Sequence, residues 1–172
     1  MNFARWVLAV PLLTLAPLTM AQAAERPVAV FDFELIDTSL DGEMNGPRAD
    51  EQQRIVLISN DLRRKLSAAD KFQVVDIAPV GAQAHAVHLQ QCGGCDADLA
   101  GKVGAKLSIA GTVQKVSNLI LNMSIYVRDV ASGRVVATMN ADMRGNTDES
   151  WSRTIGWLIR NRLLQALEGV HE

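Results

Sequence analysis

The chain of 172 residues is short of the residue types that carry most enzyme chemistry. With two cysteines, three histidines and one tyrosine it offers few general bases or thiol nucleophiles. It has no Gly-rich phosphate loop with its lysine, no Gly-x-Ser-x-Gly elbow and no His-Glu-x-x-His pair, which argues against the common nucleotide hydrolases, serine hydrolases and zinc peptidases. Charge of neither sign dominates. Seventeen basic and 19 acidic residues leave a net charge of −2, which gives no electrostatic footprint for nucleic acid. Aromatic residues make up only 5% of the chain, and no internal repeat or low-complexity tract interrupts it.

Long apolar runs are also scarce. Arg5 is followed by an apolar stretch from Val7 to Leu18, broken by Pro11 and Pro17 and closed by Ala21-Gln22-Ala23. That stretch is too short and too interrupted to span a bilayer, and the small residues predict a secretory signal peptide over 1–23, cut after Ala23. No cysteine precedes Cys92, so no lipidated cysteine is expected right after the cut. Residues 24–172 are then expected to form a single α/β domain of about 150 residues, periplasmic and without membrane insertion.

What is present is a strong period-two pattern. Leu107, Ile109, Gly111 and Val113, then Leu119 to Val127, then Val135 to Met143, place apolar residues on alternate positions in three successive runs. Short polar links at Ser117-Asn118 and Ala131-Ser132-Gly133 join them, predicting a three-stranded antiparallel meander with one wet face. Upstream, Pro27 to Ile36 reads as an interior strand with apolar residues on both faces. Ala49 to Ala68 reads as a helix with Ile55, Ile58, Leu62 and Leu66 in one stripe. Phe72 to Ile77 is a second short strand, Asp98 to Val103 a short helix, and Asp37 to Pro47 and Ala78 to Gly94 read as loops. A closing helix starts at Asn146-Thr147-Asp148-Glu149, with Trp151, Ile155, Leu158, Ile159 and Leu163 facing inward. The fold class is α/β (α+β): a mixed sheet of about five strands with helices packed on it.

Three groups of side chains are candidates for function. Asp32, Glu34 and Asp37 lie at the carboxyl end of the first strand, where open α/β sheets tend to hold ligands. His85, His88, Cys92 and Cys95 follow one another at spacings of three, four and three. The Cys-x-x-Cys pair can be a redox dithiol, half a metal site, a haem attachment or a small disulfide. Haem is excluded by Asp96, which stands where a histidine would be needed. With the two histidines the set would suit zinc or copper. In an exported protein a Cys92–Cys95 disulfide shaping the turn into the next helix is the preferred reading, with no cofactor. Last, Arg153, Trp157, Arg160 and Leu164 form a row beside the inward stripe of the closing helix, a candidate partner surface.

The phrases Val28-Ala29-Val30-Phe31-Asp32-Phe33, Gly104-Ala105-Lys106-Leu107-Ser108-Ile109-Ala110-Gly111 and Asp129-Val130-Ala131-Ser132-Gly133-Arg134-Val135-Val136 resemble the α/β domain shared by the TolB amino-terminal domain and the CsgG secretion family. The chain lacks the membrane hairpins and lipidated cysteine of the CsgG channels. Together with Cys92-Gly93-Gly94-Cys95-Asp96-Ala97-Asp98 and Arg144-Gly145-Asn146-Thr147-Asp148-Glu149-Ser150-Trp151, the first strand also resembles a family of predicted secreted bacterial proteins without an assigned activity. The missing catalytic signatures lead to the expectation of a non-catalytic periplasmic binding or assembly protein with another envelope protein as partner, and the resemblance implies an accessory role in quinoprotein oxidation. Metal or thiol handling through residues 85 to 95 is the alternative.

Overall fold

The computed structural model describes residues 25–169; the expected signal peptide lies outside them. Six strands form one sheet in the order β3-β1-β4-β5-β6, with β2 paired to β4 beyond the end of β1. The strands are β1 (Arg26–Val30), β2 (Glu34–Asp37), β3 (Phe72–Val74), β4 (Leu107–Ser117), β5 (Ile120–Asp129) and β6 (Val135–Met143). β1 runs parallel to β3 and β4, β2 runs parallel to β4, and β4, β5 and β6 form the antiparallel meander. The helices are α1 (Leu40–Asn45), α2 (Ala49–Ser67), α3 (Ala78–His85), α4 (Cys95–Lys102), α5 (Asp148–Leu158) and α6 (Leu164–Gly169). A π-helical segment, Ile159–Leu163, joins the last two.

The single strand expected over 27–36 is two strands. Phe33 turns its N–H away from the sheet, donating to Ser59 Oγ on α2 at 3.0 Å, and its ring lies flat on Gly111 of β4. A Cβ at residue 111 would stand 2.2 Å from that ring, so glycine is required there by close approach. Sheet pairing resumes at Glu34, giving six strands where about five were expected.

Helices cover the sheet on both faces. On one side α2 and α5 bury Ile58, Leu62, Leu66, Trp151, Ile155 and Leu158 against the odd-numbered face of the meander, forming the main core. Each such side chain contributes about 1.5–3 kcal/mol by leaving water. On the other side α3 and α4 bury a smaller cluster including Phe31, Val80, Leu89 and Leu99. This second layer corrects two expectations. The segment from Ala78, read as a loop, begins with α3, because Pro79 in its first turn starts a helix as readily as it ends a strand. The even-numbered face is not wet throughout, since Ser108, Ala110 and Thr112 of β4 are buried beneath these helices. Thr138, Asn140 and Asp142 of β6 remain exposed.

Two further expectations are revised. The Asp37–Pro47 stretch contains α1, capped by the Ser39 hydroxyl accepting from the Gly42 N–H at 3.1 Å. The closing helix is capped by Thr147, whose Oγ1 accepts from the Ser150 N–H at 3.2 Å. Asn146 instead accepts from the Trp151 indole at 3.0 Å, fixing that fully buried ring.

Candidate functional site

Beyond Val74 the sheet loses its outer strand while the helical layers continue. The result is a cleft of about 990 Å³ beside β2, floored by Phe33, Glu34 and Leu35. Gln52, Ile55 and Val56 of α2 form one wall, and α3 with residues 86–89 forms the other. Val56 and Val87 line it while 56% and 41% exposed, so its lips are apolar and open to solvent.

Asp32 and Glu34 are both at this cleft. The Asp32 carboxylate receives the Arg63 guanidinium at 2.7 Å and meets His85 Nε2 at 3.0 Å. Partial burial pushes its pKa up, but these bonds and charges outweigh the effect and hold Asp32 below its ordinary value. Glu34 accepts the Leu89 N–H at 2.7 Å and lies 3.6 Å from His88 Nδ1. Two carboxylate–histidine pairs therefore tie the 85–89 segment to the sheet.

Asp37 belongs elsewhere, although it is read with Asp32 and Glu34 from the sequence. The strand's alternation turns it to the main-core side, where its Oδ2 lies 3.0 Å from Lys115 Nζ. Lys115 occupies an odd position of β4 expected to be apolar. Its side chain is fully buried and also reaches Glu51 Oε1 at 2.7 Å, with Glu51 equally buried. Burial by itself would lower the pKa of the lysine, but the hydrogen bonds and charges of Glu51 and Asp37 raise it above its ordinary value. For Asp37 burial acts upward, and the bonds from Ser39 and Lys115 prevail, lowering its pKa.

His85, His88, Cys92 and Cys95 do not converge. The histidines go to Asp32 and Glu34, while Cys92 and Cys95 stand at disulfide-bonding distance from each other, with Cα atoms 5.7 Å apart. Among the described residues, no three His, Cys, Asp or Glu side chains gather in a way that could hold a metal ion. The pair sits where the turn enters α4, and the next residue, buried Asp96, binds Ser108 Oγ at 2.7 Å and Arg128 Nε at 2.9 Å. Those contacts pin α4 to β4 and β5.

In the Arg153, Trp157, Arg160, Leu164 row the first three residues are exposed and Leu164 is half-buried. Leu164 packs against the main core, Arg153 pairs with Glu149, and Arg160 lies over Gly156 near Lys65. The partner of Trp157 is Arg162, whose guanidinium carbon stands 5.8 Å from the ring centroid. Arg162 is five residues on, a spacing that the π-helical segment brings onto one face and an ordinary helical wheel does not.

Residues missed from sequence are Arg63, Val56 and Val87. Arg63 reads as one of several solvated cations, yet it also donates to the Val30 carbonyl from Nε and Nη2, at 3.1 and 3.0 Å. The visible signal is Val56-Leu57, two apolar residues outside the buried stripe of α2.

A mixed sheet between two helical layers, with an open cleft at its edge, defines an α/β domain of the two-sided, helix-covered class. The chain belongs to the DUF3280 family, whose model, described as a protein of unknown function (DUF2380), matches residues 26–163. No curated protein matches it. Its fold is similar to that of the hypothetical protein CT253 from Chlamydia trachomatis, at 14% identity over 85% of this chain and 100% of that one, with a TM-score of 0.52. Weaker likenesses include lipoprotein GNA1162 from Neisseria meningitidis (16% identity, 84% of this chain, 99% of that one, TM-score 0.48). TolB from Acinetobacter baumannii is another (10% identity, 87% of this chain, 30% of that one, TM-score 0.47). Among the described residues, no helix is long and apolar enough to cross a membrane.

Proposed function

We propose that the protein is a non-catalytic accessory protein of the bacterial envelope, acting by holding a partner protein in the cleft between α2 and α3. The observation that carries this reading is the cleft itself: sheet edge, two helical walls and the exposed apolar lips Val56 and Val87. Exposed apolar residues beside a concave surface are the usual mark of a binding site. The cleft histidines meet carboxylates rather than a hydroxyl or thiol that they could activate. The predicted signal peptide supports a periplasmic location, and the resemblance of the first strand and cysteine turn supports a place beside quinoprotein oxidation.

The test is quantitative co-purification from cross-linked native cells, comparing the unaltered protein with Val56→Asp and Val87→Asp. Both sites are solvent-exposed, so the variants should fold with unchanged circular dichroism and thermal midpoint. An envelope protein recovered with the parent and depleted about tenfold with either variant supports the reading. Equal recovery removes it.

Zinc, copper or thiol handling through His85, His88, Cys92 and Cys95 is the competing proposal. Elemental analysis of anaerobically purified protein, with thiol titration before and after mild reduction, decides it, since handling requires bound metal or a Cys92–Cys95 pair that cycles between disulfide and dithiol.

A further inference from the structure

We infer that the cleft takes its partner as an added β-strand, an extended segment hydrogen-bonded to the free edge of β2; this rests on the partner-binding reading above. The backbone sets the chemistry. The register Leu35↔Val113 and Asp37↔Lys115, with the Thr38 N–H bonded to the Lys115 carbonyl at 2.9 Å, commits the backbone groups of Glu34, Ile36 and Thr38 to β4. Leu35 and Asp37 therefore turn their N–H and C=O groups the opposite way, along the free edge.

Among the described residues no strand stands on that side. β3 pairs with β1 only from Arg26 to Val28, and the chain then turns away into α3. Just upstream, the outward groups are met by side chains: the Val30 carbonyl by Arg63, the Phe33 N–H by Ser59. The open edge thus begins at Leu35, where the floor of the cleft lies. Because the walls belong to helices on opposite faces of the sheet, the space between them lies in the plane of the sheet. An added strand would extend that plane, continuing the line of β3, and four residues matching β2 would run about 13 Å.

The walls also specify the side chains. Residues of the added strand pointing to the α2 side meet Leu35, Ile55 and Val56, and those pointing the other way meet Glu34, His85 and His88. The cleft carries the carboxylates of Asp32, Glu34 and Asp76 against the single guanidinium of Arg63. The segment that fits alternates apolar residues with polar or cationic ones, as an edge-binding peptide does.

The experiment pans displayed random linear peptides, about twelve residues long, on the mature protein, with counter-selection on Val56→Arg. Selected peptides are then remade with single backbone N-methyl groups. Strand addition predicts peptides of alternating pattern that bind Val56→Arg at least about tenfold more weakly. It also predicts that N-methylation weakens binding about tenfold at alternate positions and is tolerated between them. Peptides that are sensitive to Val56→Arg but show no alternation would overturn strand addition and leave the cleft as a binding site. If no peptide distinguishes the parent from Val56→Arg, both readings fall. The variant is validated first by an unchanged thermal midpoint, and His88→Ala serves as a second cleft variant with the same expected direction.

Discussion

Lys115→Met keeps the volume of a fully buried side chain and removes the ammonium group that Glu51 and Asp37 share at 2.7 and 3.0 Å. Two carboxylates are then left facing each other below the surface, with Asp41, 3.6 Å from the same ammonium in the parent, adding to the repulsion. Breaking a buried ion pair from one side costs about 3–5 kcal/mol. Glu51 retains the Asn146 amide at 2.5 Å and the more distant Arg48 at 3.9 Å, which places the expected loss near the lower end, about 3 kcal/mol. With a urea slope of about 2 kcal/mol per molar, the midpoint should fall by about 1.5 M. The pH dependence gives a second reading. In the parent, the lowered pKa of Asp37 contributes stability above the ordinary carboxylate range that is lost as pH falls through its folded value. The raised pKa of Lys115 contributes stability below the ordinary lysine value that is lost as pH rises through its folded value. The network therefore stabilises the whole range between, about pH 5 to 10. In Lys115→Met the acid limb should reverse, with protonation of the unpaired carboxylates stabilising the variant from pH 7 to about pH 4 relative to the parent. Adding Glu51→Gln should recover more than about 1 kcal/mol. A loss under about 1 kcal/mol, with an acid limb parallel to the parent's, would refute the reasoning.

Gly111→Ala should lower stability by about 1–3 kcal/mol, because the new methyl enters the Phe33 ring, and Phe33→Leu in the same chain should relieve part of the loss; thermal unfolding measures both. Cys92→Ser with Cys95→Ser should cost no more than about 2 kcal/mol, since the closed loop is short, with faster amide exchange confined to residues 89–98; thiol titration of the unreduced, unfolded parent should find no free thiol, and two would contradict the disulfide. Arg128→Met should cost about 3 kcal/mol in urea unfolding by stranding the buried Asp96 carboxylate, and Asp96→Asn should restore part of it.

The period-two pattern of the meander and the three-to-four-residue stripe of α2 made most of the sheet and its main core legible, because burial on one face writes itself into alternation. Of the second helical layer, α4 was legible as the short helix read over Asp98 to Val103, but α3 and the packing of both on the sheet were not. The layer's cluster is built from residues such as Ala84, Ala100 and Ala110, small enough to pass for surface or loop. The break at Phe33 was hidden for a related reason: an apolar run reads as continuous whether or not one N–H leaves the ladder for Ser59. Asp32 and Glu34 were read together at the end of one strand, and the structure brings both to the cleft, Asp32 after β1 and Glu34 at the start of β2; the same adjacency drew in Asp37, which alternation sends to Lys115 on the other face. Arg63 and Arg162 escaped because their partners, the Val30 carbonyl and the Trp157 ring, are defined only by tertiary geometry and by the π-helical spacing.

The most direct test of the cleft as the working surface is site-specific photo-cross-linking in native cells, with a photoreactive amino acid placed singly at Val56, Val87, Leu119 and Thr138. Leu119, at the turn between β4 and β5, and Thr138, on the exposed part of β6, lie outside the cleft lining. The account predicts one discrete adduct with an envelope protein from Val56 and Val87 and none from Leu119 or Thr138. Adducts from Leu119 or Thr138 alone, with Val56 and Val87 silent, would contradict it.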